Sequence, residues 1–534
     1  MDESPLILVV GCDALTERVR AELSSTSGHE VRAVWPVSID SGEALLAAGV
    51  EQAASILTLA ADDGLNLAVA LRARMLNPSI RVVMRQSDPL LGEMIEQNLA
   101  NSSALSSAAH SAATYAGAAL DPGCFFALRF PAAAGQLLGF TQWKAQSLGI
   151  AGLTVRDAEE RLRLRVLATG DHVDPPESAV IGKDDSVVAF GPIVKRASPR
   201  RPPAGGARSS ADTWSLREVL GWPVAAWHRA NPVMRLLMIC AIVFFSFSFI
   251  FFHFGLHKTW TAATFNVVET MTNVGFGETA VTRAPVLTLG AIVAMLGGIV
   301  FTSIFIGYVS SALTRAQWIS MQGLRRIHAR NHVVLCGGGT IGRAVIDLLA
   351  AAGNRIVVVE PNPHAGLIRR ARERDVDLLT GSAHDDGALD LCDVPNASAV
   401  LALTDDDTTN LEIALAVRAR SADVPLVVRV ESASFAEAAA AIFGVATFSP
   451  GALTAPALAG LSRFPGTRGR IRFAKDDHTI GQRPQGATPQ KPPAEICTPL
   501  CVWRKGQMVP IRQFGEMEAY DELLFIVPLS QFRR

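Results

Sequence analysis

Short apolar runs alternate with helical patterns near both ends of the chain. "LILVV" (6–10) and "HVVLC" (332–336) each run into a small-residue turn, a segment with helical spacing and another apolar run. Further runs such as "ILTLA" (56–60) and "VLALT" (400–404) continue the alternation. Strands that alternate with helices predict a parallel, doubly wound sheet. We therefore expect two Rossmann-like α/β units, each followed by a small strand-rich α+β lobe.

Two long uncharged runs lie between these units. Residues 236–252 carry no charge between Arg235 and His253, and residues 284–314 form a second uncharged run. Runs of this length predict two membrane-spanning helices, because a buried helical hairpin would need an unusually large core. Basic residues precede the first run and follow the second, which predicts a plasma-membrane protein with both termini cytoplasmic.

The two α/β units share an internal duplication. Residues 56–85 align with residues 400–429 at a constant offset of 344, with 11 identities in 30 positions and no gap. Asp62, Asp63 and Asn66 correspond to Asp406, Asp407 and Asn410. Because the acid pair is present in both copies, we expect it to cap a helix, with ligand contact as the alternative.

Composition narrows the class of partner. The chain has 49 basic and 50 acidic residues, so the overall charge indicates no nucleic-acid partner. Apolar residues make up 49% of the 534 positions, which fits a chain that is partly in the membrane. Seven scattered cysteines favour reduced thiols, and no metal site is expected.

A glycine-rich turn follows the strand at 332–336. It has G-x-G-x-x-G spacing, it opens a helical segment, and an acidic residue follows about 20 positions later. This context predicts phosphate binding at a helix N-terminus and an acid that accepts from ribose hydroxyls. Close helix–strand packing without a ligand is the alternative. The predicted nucleotide contacts are Gly337, Gly339, Thr340, Ile341, Gly342, Glu360 and Asp405.

The first copy has lost most of this turn. It keeps Gly11 but has Asp13 and Thr16 at the other two glycine positions. A carboxylate at Asp13 would repel a pyrophosphate. We therefore expect that the first copy does not bind a dinucleotide in the usual pose.

The loop between the two uncharged runs contains "ETMTNVGFGE" (269–278). Gly275 and Gly277 allow positive φ at alternate positions, so that successive carbonyls face one side and replace the hydration shell of an ion. One such strand is a quarter of a ring, so four chains are required. The stretch resembles the selectivity filter of the potassium channel superfamily, T-T-V-G-Y-G-D. The predicted filter is Thr272, Asn273, Val274, Gly275, Phe276, Gly277 and Glu278.

The resemblance implies further roles around the filter. Glu269 is expected to share a proton with Glu278 behind the filter, with two independently solvated carboxylates as the alternative. The inner helix is expected to bend at Gly297, Gly298 or Gly307, with close helix packing as the alternative. Asn273 replaces the family's threonine at the innermost ion site, which leaves sodium conduction or non-selective conduction open.

The α/β units together with their strand-rich lobes resemble RCK domains, the regulators of potassium conductance of the Trk/Ktr type (TrkA-N and TrkA-C). The resemblance covers about residues 5–195 and 330–530. It implies an RCK Rossmann-like lobe and a C-terminal lobe on each side of a pore. The expected boundaries are 1–120 and 121–195 for the first unit, 196–232 for a basic linker, 233–320 for the pore, and 321–465 and 466–534 for the second unit.

Together these features predict a homotetrameric potassium channel whose cytosolic RCK ring is gated by NAD(H) or an adenine nucleotide such as ADP or ATP. Three alternatives stay open. The first is a non-selective or sodium-conducting channel, which Asn273 favours. The second is a membrane-anchored NAD-dependent oxidoreductase, which the Rossmann lobe alone would fit. The third is a regulatory subunit of a separate transporter, although such a subunit would need no filter. The sequence has no recognisable His/Lys or Tyr-x-x-x-Lys arrangement, so we expect no enzymatic activity.

Overall fold

The computed structural model describes residues 5–25, 29–35, 42–129, 136–195, 232–272, 285–321, 329–384, 386–483, 497–504, 507–510 and 521–529. The chain divides into two compact units. One combines residues 1–200 with 323–534, and the other is residues 201–322. The segment predicted to form the pore is therefore inserted in the sequence between two halves of a single folded unit.

The first half of the larger unit begins with a parallel sheet. Its strands are β1 (Leu6–Val10), β2 (Glu30–Val34), β3 (Ser55–Thr58), β4 (Arg81–Arg85) and β5 (Ser102–Leu105), in the order β2-β1-β3-β4-β5. The helices are α1 (Ala14–Ser25), α2 (Gly42–Ala47), α3 (Asp63–Leu76), α4 (Pro89–Asn98) and α5 (Ser107–Leu120). The central strands are apolar and buried along their length, as expected for a parallel sheet covered on both faces.

An antiparallel sheet follows in the same half. Its strands are β6 (Cys124–Arg129), β7 (Leu137–Lys144), β8 (Arg165–Thr169), β9 (His172–Val173) and β10 (Ser186–Pro192), in the order β6-β7-β10-β8-β9. Two short helices, α6 (Ala145–Leu148) and α7 (Val155–Leu162), lie between its strands.

The smaller unit is helical. It contains α8 (Pro232–Ile250), a π-helical turn (Phe251–Gly255), α9 (Trp260–Thr272) and α10 (Pro285–Met321). Phe244 of α8 packs against Gly297 of α10, where an added Cβ would lie 2.6 Å from the Phe244 ring. Across the described ranges, none of the helices has both the length and the apolar character that a membrane crossing requires. The two predicted spans stay predictions from the sequence.

The second half of the larger unit repeats the parallel sheet with one more strand. The strands are β11 (Val333–Cys336), β12 (Ile356–Glu360), β13 (Asp377–Thr380), β14 (Ala399–Ala402), β15 (Leu426–Arg429) and β16 (Ala446–Phe448), in the order β13-β12-β11-β14-β15-β16. The helices are α11 (Thr340–Ala351), α12 (Ala365–Glu373), α13 (Asp386–Leu391), a 3₁₀ turn (Val394–Asn396), α14 (Asp407–Arg420), α15 (Ala433–Phe443) and α16 (Pro450–Leu461).

A second antiparallel sheet closes the chain. Its strands are β17 (Thr467–Phe473), β18 (Asp476–Gln482), β19 (Thr498–Arg504), β20 (Gln507–Pro510) and β21 (Glu522–Pro528), in the order β17-β18-β21-β19-β20. Phe140 and Phe190 of the first antiparallel sheet share one hydrophobic cluster with Ile471 and Trp503 of the second. The two small lobes therefore pack against each other.

The last helix of each parallel lobe crosses to the other lobe. Helix α5 packs in one cluster with β11, β12 and β14, and the Tyr115 hydroxyl donates a hydrogen bond to the Phe448 carbonyl over 2.7 Å. Helix α16 packs with β1, β3 and α1. The sequence boundaries group α5 with the first lobe, but its buried face completes the core of the second. The two lobes are thus held together by exchanged helices.

The duplicated residues make the same hydrogen bonds in both lobes. Asn66 accepts from the Ala60 amide and donates to the Ala60 and Arg85 carbonyls, while Asn410 makes the same three bonds to Thr404 and Arg429. Asp62 and Asp406 each cap the helix that follows. The N-cap prediction is confirmed for the first acid of each pair. The second acids accept from backbone amides of the next loop instead, Asp63 from Ser87 and Asp407 from Glu431.

We expect Asn66→Ala and Asn410→Ala each to destabilise the larger unit by about 2–4 kcal/mol, because each leaves buried backbone groups without their partner. Guanidinium unfolding of the purified protein, followed by tryptophan fluorescence, measures the change. Asn98→Ala is the matched control, since its exposed amide bonds only to the Met94 carbonyl of its own helix. Equal effects at Asn98 and Asn410 would contradict this account.

Candidate functional site

A cavity of about 890 Å³ lies between the two parallel lobes. The second lobe contributes its glycine turn, the ends of β12 and β14, and residues of the β15 loop. The first lobe contributes the start of α1, the end of β4 and the start of α5. The carboxyl ends of strands in a doubly wound sheet are the usual place for a ligand.

The glycine turn at 337–342 is shaped for close approach. Gly337 has φ +104°, and a Cβ there would lie 2.9 Å from the Leu403 carbonyl and from the Thr404 nitrogen. A Cβ at Gly342 would lie 2.1 Å from the Gly337 oxygen, so α11 contacts the turn directly. Around Gly339, the N-cap of α11, no described heavy atom comes within 4 Å of a Cβ position. The turn therefore offers open space in front of a helix N-terminus.

Glu360 lies beside this turn at the end of β12. Its Oε2 accepts from the Gly338 amide over 2.7 Å, and its Oε1 accepts from the Asn362 amide over 3.2 Å. These two bonds fix the carboxylate at the rim of the cavity. A carboxylate has about four acceptor positions. Two of them remain for ribose hydroxyls.

The other predicted contacts fall into three groups. Thr340 is exposed at the first position of α11, and Asp405 is exposed in the loop after β14; both line the cavity. Ile341 also lines it, but its side chain is part of the hydrophobic core of the lobe. Gly342 lies beneath the turn and is not part of the lining.

The neighbouring acid Asp406 serves a different purpose. Hydrogen bonds from the Thr409 side chain and backbone lower its pKa, because they stabilise the charged carboxylate. It is therefore a helix cap, and the role of Asp405 as a ligand contact stays a prediction.

Sequence reasoning missed three arginines that line the cavity, Arg18, Arg85 and Arg429. Arg429 forms an ion pair of 3.9 Å with Glu431. Arg18 reaches across from the first lobe, where it donates to the Ser449 hydroxyl over 3.1 Å and to the Glu431 carbonyl. Arg85 and Arg429 end the duplicated segment at equivalent positions, which is the signal that would have identified them.

In the first lobe a side chain fills the place that Gly339 leaves open. Asp13 accepts from the Thr16 amide over 2.9 Å and from the Thr16 hydroxyl over 2.7 Å, and its second oxygen pairs with Arg85. Burial on its own would raise the pKa of Asp13. The Thr16 hydrogen bonds and the Arg85 charge outweigh burial and lower this pKa below its usual value.

The predicted pore residues are only partly described. Asn273 to Glu278 lie outside the described residues, and Thr272 is the last residue of α9. Glu269 is half-buried on α9. Helix α10 is continuous through Gly297, Gly298 and Gly307. The contact of Gly297 with Phe244 agrees with the packing alternative, and the hinge role stays a prediction.

A domain model described as the TrkA-N domain matches residues 9–105 and 333–447. The chain is 24% identical over 168 residues to the voltage-gated potassium channel Kch of Escherichia coli (strain K12), an alignment that covers 30% of this chain and 40% of Kch. This chain thus spans about two fifths of the length of Kch.

Solved structures with related architecture match this chain with TM-scores below 0.5. The "GsuK channel bound to NAD" has a TM-score of 0.49 and 14% identity, covering 100% of this chain and 78% of that chain. The TrkA-N domain of the inner membrane protein ybaL from Escherichia coli has a TM-score of 0.21 and 22% identity, and the match covers 23% of this chain and 87% of that chain. These scores do not establish a shared overall fold. The domain match, together with the two parallel lobes, shows that residues 9–105 and 333–447 are two TrkA-N domains carried by one chain.

Proposed function

We propose that this protein is a tetrameric potassium channel of the plasma membrane, opened or closed by a nucleotide that binds in the cavity of the second TrkA-N lobe. The observation that carries the proposal is the position of the filter sequence, which is inserted between the two halves of one nucleotide-type unit. The partial similarity to a potassium channel supports the same class. No catalytic step is part of this function.

The second lobe fits an adenine nucleotide with a diphosphate. Gly339 leaves room at the N-terminus of α11, where backbone amides and the helix dipole favour phosphate oxygens. Glu360 offers acceptor positions to ribose hydroxyls. Arg429 supplies a cation on the same cavity wall. NAD(H), ADP and ATP share this diphosphate chemistry.

Lys195 and Asn331, the described residues on either side of the inserted segment, contact each other near the start of β11. The Lys195 ammonium donates to the Asn331 carbonyl over 2.8 Å, and the Asn331 amide donates to the Asn396 carbonyl. Strand β11 begins at Val333 and ends at Cys336, directly before Gly337. Strand β11 therefore joins the glycine turn to the chain that leads into the inserted segment, so a shift of the turn would be transmitted over only a few residues. The ligand gates only if its affinity differs between the open and closed states.

Apolar side chains on the outer helices support a ring of four chains. Leu71 and Leu415 are 47% and 54% exposed at equivalent positions of the two lobes, and Leu91 and Phe435 are 39% and 43% exposed at another pair. We propose that these repeated positions lie in the contact surfaces between chains. In the proposed ring, the first lobe of each chain contacts the second lobe of the next, and the contact closes after four chains.

The ion selectivity rests on the sequence of the filter. The carbonyls of Thr272 to Phe276 replace the hydration shell of potassium, with Glu269 and Glu278 behind them. Asn273 supplies an amide where a hydroxyl is usual, so potassium selectivity at the innermost site depends on its backbone carbonyl.

The nucleotide site is tested by Gly339→Asp, which places in the second lobe the carboxylate that the first lobe has at Asp13. We expect ADP and NAD to bind about 100-fold more weakly or worse, because like charges placed together cost several kcal/mol. Titration calorimetry on the detergent-purified protein measures this. Gly339→Ala is the matched control: it fills part of the same space without adding a charge, so it should weaken binding less than Gly339→Asp does. Unchanged binding in Gly339→Asp would place the nucleotide elsewhere.

Selectivity is tested by flux into liposomes under opposed potassium and sodium gradients. We expect a potassium-selective, nucleotide-dependent current, with the reversal potential moving further toward potassium in Asn273→Thr. The nucleotide dependence should be lost in Gly339→Asp. A wild-type current that carries sodium equally, and becomes selective in Asn273→Thr, would favour the non-selective alternative.

The ring is tested by crosslinking in a Cys12→Ser background, because Cys12 is the exposed thiol among the described cysteines. Leu91→Cys combined with Phe435→Cys should give an oxidised ladder that ends at the tetramer, since each chain then contributes one thiol to each neighbour. Each single variant should stop short of a tetramer. Ladders of equal length in single and double variants would argue against first-lobe to second-lobe contact.

A further inference from the structure

The two TrkA-N lobes can be compared position by position. Val10 pairs with Val34 in the first sheet as Cys336 pairs with Val359 in the second. Gly11 is therefore equivalent to Gly337, and Asp13 to Gly339. Thr16 is equivalent to Gly342, and Trp35 takes the place of Glu360.

We infer that the Asp13 carboxylate is a built-in anion that occupies the phosphate position of the first lobe, so that each chain binds a single nucleotide, at its second lobe. The inference rests on the proposed nucleotide function. A tetramer with eight TrkA-N lobes would then take four nucleotides. The first lobe stays in one state while the second responds to the ligand.

The contacts of Asp13 are those that a phosphate oxygen would make. One carboxylate oxygen accepts from the Thr16 amide and hydroxyl in the first turn of α1, where the helix dipole favours a negative charge. The other oxygen pairs with the guanidinium of Arg85. The anion therefore has a helix N-terminus on one side and a cation on the other.

The equivalent arginine of the second lobe is in a different situation. Arg429 has Gly339, without a side chain, where Arg85 has Asp13. Its described ion pair with Glu431 is loose, at 3.9 Å, and Glu431 also contacts Arg18 of the first lobe over 3.6 Å. A ligand phosphate would give Arg429 the partner that Asp13 gives Arg85.

Two further differences close the first lobe to a nucleotide. Thr16 is buried at the position where Gly342 allows the helix to touch the turn, and its hydroxyl lies 2.6 Å from a Cβ built on Gly11. Trp35 is an exposed indole where Glu360 supplies a carboxylate, so it provides no acceptor for ribose hydroxyls. Removal of Asp13 would therefore open a site for a phosphate or pyrophosphate, without ribose recognition.

The first arm of the test counts ligands on the intact, purified protein. Titration with ADP should give one site per chain in the wild type and none in Gly339→Asp. Two sites per chain in the wild type, or one full-affinity site left in Gly339→Asp, would overturn the inference. A wild type that binds neither ADP nor NAD contradicts the proposed nucleotide function instead, and the second arm then decides the inference alone.

The second arm uses inorganic pyrophosphate and thermal unfolding, with the second lobe blocked by Gly339→Asp throughout. Addition of Asp13→Gly should lower the unfolding midpoint, and pyrophosphate should restore it and bind at one site per chain. Addition of Asp13→Asn is the matched control, because its amide still fills the position and should give no pyrophosphate response. Gly339→Asp alone should not respond either.

A pyrophosphate response of Gly339→Asp alone would show that the first lobe is already open to anions, and would overturn the inference even if Asp13→Gly failed to fold. A folded Asp13→Gly, Gly339→Asp protein that ignores pyrophosphate would overturn it as well. A response of equal size in the Asp13→Asn protein would attribute the effect to general destabilisation rather than to an opened anion site.

Discussion

The exchange of helices α5 and α16 between the two TrkA-N lobes is the constraint on which the rest of the larger unit depends. A parallel sheet needs cover on both faces, and each lobe obtains part of that cover from the other half of the chain. Separation of the lobes would expose the alanine-rich face of α5 and the opposing strands together. The lobes are therefore one cooperative unit, although the inserted residues 201–322 lie between their sequences.

The exchange also determines where the cavity forms. Helix α5 begins at Ser107 and α16 at Pro450, and both starts line the cavity, together with the starts of α1 and α11. Several helix N-termini and three arginines thus line one space, together with five carboxylates. The helix N-termini are the parts of this lining that favour an anion. Arg18 spans the lobes at its rim, so a bound anion and the lobe contact share charged groups. The proposed ligand would therefore lie next to the contact between the lobes.

One chain that carries both lobes allows them to differ. In a symmetric pair of identical lobes, any change in the glycine turn would appear twice. Here Gly337 to Gly342 keep the open turn, while Asp13, Thr16 and Arg85 form a closed hydrogen-bonded group in the other copy. The shared framework is preserved where it holds the backbone, as the identical contacts of Asn66 and Asn410 demonstrate. The difference at the ligand side thus leaves these backbone-holding contacts unchanged.

The sequence by itself determined the parallel sheets, the duplication, the acid N-caps and the glycine turn, because these depend on local periodicity and on residue types at fixed spacing. The filter at 272–278 stays a prediction from the sequence, since residues 273–278 lie outside the described residues. Only the tertiary structure decided that α5 covers the sheet of the second lobe. The apolar sequence of a helix predicts that it is buried, but not which sheet it packs against. The duplication marks Arg85 and Arg429 as equivalent, but only the tertiary structure shows that both meet Arg18 at one cavity. Contacts between residues hundreds of positions apart leave no local sequence pattern.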